Sequence, residues 1–193
     1  MACSFPVNQP EHILRTLDSQ LVRATRLILY GRAALALGFP HPRPAFFATM
    51  DVDGILPDSE LPEIEADEGF WDALERTNRI LEPSGLYLTH LFAESQIILR
   101  SDWLLHLVPI PVANLHFLRL FRPSIEDLIL TKMMRVDPED RSDIMFLISE
   151  SSLDLPSLER LWTMAKVPPI PEISEAFGSN CVWIRQELST MQG

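Results

Sequence analysis

The chain has 193 residues, 47% of them hydrophobic and 22% charged, which fits one globular domain with a sizeable core and excludes disordered, collagenous and low-complexity classes. Its 27 acidic residues outnumber 16 basic ones, and the net charge of −11 argues against a nucleic-acid groove spread over the whole surface. The two cysteines, Cys3 and Cys181, have no Cys-x-x-Cys spacing, so a disulfide framework and a zinc ribbon both drop out.

The first residues lack a basic stretch followed by an apolar one, and no segment approaches the roughly 18 apolar residues of a membrane span. No membrane association is expected, and the cytoplasm is the expected compartment. After Pro10, the spacing of Ile13, Leu14, Leu17, Leu21 and Val22 predicts an amphipathic helix to about residue 25. Leu27-Ile28-Leu29-Tyr30 predicts a short strand ended by Gly31, and residues 32–37 a short helix before Gly38. Three prolines within 39–48 predict a loop. Residues 50–56 alternate, which predicts a strand with Asp51, Asp53 and Ile55 on one face. An acidic loop is expected from Pro57 to Glu68, then a helix carrying Phe70, Trp71, Leu74, Ile80 and Leu81 that ends before Pro83.

Further strands are expected at 85–91, 96–100 and 115–121. From Pro123 the pattern turns helical, with helices near 123–135, 138–150, 155–166 and 171–190. The stretch 167–171 is a stiff proline connector. The expected fold is α+β, a mixed sheet flanked by helices with a helical C-terminal half: one domain over 1–193, with an α/β core at 27–122 and a helical part at 123–193.

Several residues could carry chemistry. Asp51 and Asp53, two apart on a strand, point to one face about 6.5–7 Å apart, a spacing one Mg²⁺ can bridge; the alternative is a solvated strand end. Gly31, opening a helix of small residues, leaves backbone N–H groups where a phosphate could sit, or simply makes a turn. Lys132 shares a helix face with Ile125, Leu128 and Ile129 and calls for an anion, unless it snorkels to solvent. Asp143 shares a face with Phe146 and Leu147, as a partner for Lys132, an acid beside a metal, or a helix N-terminal acid. His90, beside apolar residues on a strand, reads as a hydrogen-bonded core or edge histidine before it reads as a base.

Gly31-Arg32-Ala33-Ala34 followed by Asp51-Val52-Asp53 resembles the Gly-Gly/Ser and Asp-x-Asp core of the polymerase-beta-like nucleotidyltransferase superfamily. Lys132 and the run Asp140-Arg141-Ser142-Asp143 resemble the later signature of its small bacterial stand-alone and abortive-infection-toxin members, so the resemblance spans about residues 27–150. It implies an enzyme that moves a nucleotidyl group from a Mg²⁺-bound nucleoside triphosphate to an acceptor. Asp51 and Asp53 would hold the metal, Gly31 and Arg32 would lie against the phosphates, Lys132 would neutralise phosphate charge, and Asp143 would act as an extra acid or base. Arg32 stands where the superfamily has Gly or Ser, and the strand that often supplies a third carboxylate has no acid until Glu94. These departures favour the alternative of a non-catalytic relative, an antitoxin or interaction module with a partner protein.

The acid surplus is local. Residues 51–75 hold ten acids and no lysine or arginine, so the remaining sequence is nearly neutral. Such a field concentrates divalent cations and repels a polyanionic acceptor at the mouth of the candidate site.

Overall fold

The computed structural model describes residues 8–191, with the side chains of Thr89, His90 and Met191 outside the description. Cys3 lies outside the described residues. The chain forms two compact units, Met1–Ala93 with Leu107–Arg122, and Glu94–His106 with Pro123–Gly193.

The first unit is built on a five-stranded mixed sheet whose strands lie in the order Tyr87–Ala93 (β3), Asp51–Leu56 (β2), Thr25–Tyr30 (β1), Leu118–Arg122 (β6) and Val108–Pro109 (β5). Helix α1 (Gln9–Gln20) starts at Asn8, whose side chain accepts the Glu11 N–H, and buries Ile13, Leu14 and Leu17. Its observed end at Gln20 precedes the expected one, and Val22 is exposed. Strand β1 (Thr25–Tyr30) buries Leu27, Ile28 and Leu29 on both faces, as a central strand must. Helix α2 (Gly31–Leu37) follows without a loop, and its Ala33, Ala34 and Ala36 allow close packing. The proline-rich loop contains a 3₁₀ turn at Pro44–Ala48, which buries Phe46.

Strand β2 (Asp51–Leu56) runs antiparallel to β1 with Tyr30 opposite Asp53, and parallel to β3 (Tyr87–Ala93) with Asp51 opposite Tyr87. Between them, the segment expected as a plain acidic loop instead winds into helix α3 (Leu61–Glu65). The Trp71 indole N–H donates to the Ile64 carbonyl at 2.8 Å, a tie that periodicity cannot reveal. Helix α4 (Glu68–Leu81) is capped by Asp67, which accepts the Phe70 N–H and pairs with Arg23.

Strand β6 (Leu118–Arg122) lies parallel to β1, and the short β5 (Val108–Pro109) pairs antiparallel with it. The start of β6 is fixed by Asp18 of α1, 4% exposed, whose carboxylate accepts the N–H groups of His116, Phe117 and Leu118 at 2.9, 2.8 and 2.7 Å. At the other end of β6, Arg122 donates from Nε to the Gly38 carbonyl just past α2 and lies over the Phe39 ring, 4.4 Å from its centroid.

The second unit holds helices α5 (Ile125–Lys132), α6 (Pro138–Ser149), α7 (Leu155–Met164) and α8 (Pro171–Met191). The strand expected at 96–100 shortens to β4 (Leu99–Arg100), which pairs with β7 (Ala165–Lys166), where the third expected helix stops early. The residues lost from the start of β4 adjoin a 3₁₀ turn at Glu94–Gln96. Arg100 turns to Asp127, a carboxylate with no exposed surface, and binds it through its backbone N–H, Nε and Nη2, while Ser124 completes the cluster. Asn180 of α8, fully buried, donates to the Met133 and Arg135 carbonyls just past the end of α5. The neighbouring Cys181 is buried, and burial pushes its thiol up to about 11.

Candidate functional site

Two elements of the first unit bring candidate groups together. Strand β1 ends at Tyr30, whose Cα partner on β2 is Asp53, so the turn after β1 must pass beside that carboxylate. Gly31 makes the turn at φ +65°, in the left-handed region that side chains disfavour. A β-carbon built on Gly31 would lie 3.5 Å from Asp53 Oδ2. The glycine therefore leaves backbone open immediately beside the acid.

Asp51 and Asp53 are both half-buried, whereas Val52 between them is fully buried and Gly54 packs inward. A carbon added to Gly54 would meet the Leu91 side chain at 2.7 Å, which keeps this strand tight on its core side and holds its two carboxylates on the other face. Thr49 donates its hydroxyl to Asp51 Oδ1 at 2.8 Å. Arg32, half-buried, follows Gly31 in the first turn of α2.

The donor set suits a hard divalent cation. Among the described residues no group of three or more His, Cys, Asp or Glu side chains gathers as a self-sufficient metal site. Two carboxylates on one strand face suit Mg²⁺, which is usually held by one or two protein carboxylates with water and substrate phosphates completing the shell.

The second unit gathers the other candidates. Lys132, 8% exposed, donates to Asp140 Oδ1 at 2.9 Å and Asp143 Oδ2 at 2.7 Å, and Arg135 pairs with Asp140 at 2.8 Å. Two cations thus balance two carboxylates. The structure brings Lys132 to Asp143, and within the first unit brings Gly31 to Asp53, with Asp51 two residues away on the same strand. His90 lies on β3, but its side chain is outside the description; β3 itself carries no acidic residue. Sequence reasoning passed over Thr49 and Asp18, although Thr49, two residues ahead of an Asp-x-Asp strand, stood where a hydroxyl could reach the first acid.

A family model described as "nucleotidyltransferase of unknown function (DUF6036)" matches residues 11–176, most of the chain. The chain belongs to this family. Nucleotidyltransferases act on nucleotide substrates and generally use a divalent metal, and the α+β architecture of this member, with its helical C-terminal half, agrees with the resemblance carried by Gly31, Asp51 and Asp53. No curated protein and no solved structure matches the chain. Among the described residues of this nucleotidyltransferase family member, no helix is long and apolar enough to cross a membrane.

Proposed function

We propose that this chain transfers a nucleotidyl group from a Mg²⁺-bound nucleoside triphosphate to an acceptor, with Asp51 and Asp53 as the metal ligands. The observation that carries the reading is the open, positive-φ turn of Gly31 beside Asp53, with Asp51 on the same strand face. The turn's backbone N–H groups and the Arg32 guanidinium would hold the phosphates, and the missing Gly31 side chain lets them approach the acids. A divalent ion at the two carboxylates would withdraw charge from phosphoryl oxygens and orient them for in-line displacement. The chain's own part is positioning: the β1–α2 turn fixes the triphosphate, and the rigid β2 strand fixes the acids. An acceptor nucleophile then bonds to the α-phosphorus as pyrophosphate leaves. The acids of residues 51–75 disfavour a nucleic-acid acceptor at this mouth.

For Lys132 to serve a phosphate, with Asp143 as accessory acid, its ammonium must exchange a buried carboxylate partner for the substrate. We therefore rest the reading on Gly31, Arg32, Asp51 and Asp53. The test is thermal unfolding with Mg²⁺ and each of the four nucleoside triphosphates. Ligand binding should raise the melting temperature by mass action, and Asp51→Asn and Asp53→Asn should each abolish the rise. Absence of any rise in the wild type sinks the enzymatic reading.

Two observations favour a second reading. Strand β3, parallel to β2 and beside it, bears no carboxylate, and a large cation follows Gly31 where a small residue is usual. A non-catalytic member serving as an antitoxin or interaction module would keep the fold and lose nucleotide-dependent stabilisation. Co-purification of a stoichiometric partner protein together with a flat nucleotide titration would support it.

A further inference from the structure

The segment leading into Asp51 is held from both sides by groups that have no chemistry of their own. From one side comes Gln9, in the first turn of α1. Oriented by this network, its side-chain amide nitrogen donates to the Ala48 carbonyl at 2.9 Å and the Thr49 carbonyl at 3.0 Å. From the other side the Tyr87 N–H donates to the Met50 carbonyl at 3.1 Å, immediately before Tyr87 comes opposite Asp51 in the sheet. Both peptide units flanking Thr49 are thus tied down, and its backbone is extended, at φ −64° and ψ 135°. With its backbone fixed, Thr49 directs its hydroxyl at the carboxylate two residues on, 2.8 Å from Asp51 Oδ1.

A threonine hydroxyl has one proton to donate, and its usual local partners are backbone carbonyls. Here the proton goes to a carboxylate that the strand already aims at the candidate metal position. An aspartate side chain left to itself samples several rotamers, and ordering it on binding costs free energy. One directional bond from a tied segment removes that freedom beforehand. The bond also engages Oδ1, so that Oδ2 is the Asp51 oxygen not occupied by Thr49.

We propose that Thr49 is a positioning residue for Asp51, and that its hydroxyl presets the carboxylate for a divalent cation. This rests on the reading of Asp51 and Asp53 as metal ligands. Ligating carboxylates are commonly hydrogen-bonded by such partners, whose loss weakens metal affinity about 10–100-fold.

The experiment titrates Mn²⁺ alone against the full chain and reads the free ion by its electron paramagnetic resonance signal, for the wild type, Thr49→Val, Thr49→Ser, Asp51→Asn and Asp53→Asn. Urea unfolding without metal runs alongside. Valine keeps the shape and removes the donor; serine keeps the donor and trims a methyl group. The expected result is Mn²⁺ affinity about tenfold weaker in Thr49→Val, restored in Thr49→Ser, with the metal-free unfolding midpoint unchanged in both. A purely structural threonine would instead move the midpoint and would not be rescued by serine. Wild-type affinity in Thr49→Val, with Asp51→Asn still deficient, overturns the role of Thr49 while leaving the metal reading in place. Serine as weak as valine also overturns it, because the hydroxyl is then not the determinant. If the wild type binds Mn²⁺ no better than Asp51→Asn and Asp53→Asn, the metal reading falls and takes this inference with it.

Discussion

Gly31 and Asp53 stand side by side: the glycine turns at φ +65°, and the place a β-carbon would take is 3.5 Å from Asp53 Oδ2. That spacing is ordinary contact, so the obstacle to a side chain at position 31 is the backbone conformation, which costs an L-residue about 1–2 kcal/mol. Gly31→Ala should therefore fold with stability lower by about that amount. In the same variant, the nucleotide-dependent rise in melting temperature should shrink, because the methyl group narrows the approach to the acids. Urea denaturation and thermal unfolding with Mg²⁺ and nucleotide measure the two effects separately. Unchanged stability would show that position 31 tolerates a side chain and that the turn is not glycine-dependent.

Gly38 makes the opposite case. At φ −95° it could become alanine without backbone strain, and such a change ordinarily gains about 0.4–1 kcal/mol by restricting the unfolded chain. Here a β-carbon would come 2.5 Å from Arg122 Cδ, 2.7 Å from its Nε and 2.6 Å from the Ala34 carbonyl oxygen. Crowding should win: Gly38→Ala is expected to lose about 1–3 kcal/mol. In an Arg122→Ala background the penalty should fall, since two of the three close atoms belong to that arginine. A stabilised Gly38→Ala single variant would contradict the packing between β6 and the end of α2.

How far the fold could be read in advance depended on whether each contact was local. Ile13, Leu14 and Leu17 repeat at helical spacing, and Asp51-Val52-Asp53 alternates, so α1 and β2 followed from periodicity. The pairing of Lys132 with Asp143 followed from their helix faces, as one of the roles open to Asp143. Asp18 lies near the end of α1, yet its three partners lie 98 to 100 residues further along the chain. Nothing local marks such a bond. Likewise β4 gave up its first residues beside a 3₁₀ turn at Glu94–Gln96, and α3 formed within a stretch dominated by acids and prolines. The Gly31–Asp53 contact was half legible: sequence supplied the residue types and their order, and strand register supplied the proximity.

The Lys132 cluster gives a test of its role. Asp143 is 1% exposed and Asp140 4% exposed, so Lys132→Met takes away the ammonium that bridges two buried carboxylates, while Arg135 still pairs with Asp140. Removing one member of a buried ion pair costs about 3–5 kcal/mol. Lys132→Met should lose stability in that range in urea, with or without nucleotide. A variant that unfolds like the wild type but no longer responds to nucleotide would instead assign the ammonium to substrate.

Asp18 sets an acid limit to stability. Burial pushes its carboxyl up, but the backbone N–H groups of His116, Leu118 and Phe117 together outweigh burial and hold it below the ordinary carboxylate value. The unfolded chain then takes up the proton first as pH falls. The contribution of Asp18 is accordingly complete above the unfolded value, near pH 4, and is lost as pH drops through the lower folded value. Asp18→Asn should be less stable at pH 7 by about 2–4 kcal/mol, because hydrogen bonds to a charged acceptor are the strong ones and the amide's NH₂ must face at least one N–H donor. Its deficit against the wild type should shrink as the pH is lowered below 4, since the wild type then loses the same charge. Urea unfolding of both proteins at pH 7 and at successive values below 4 measures the gap. A gap that stays constant through that range would mean that the Asp18 carboxylate charge does not anchor β6.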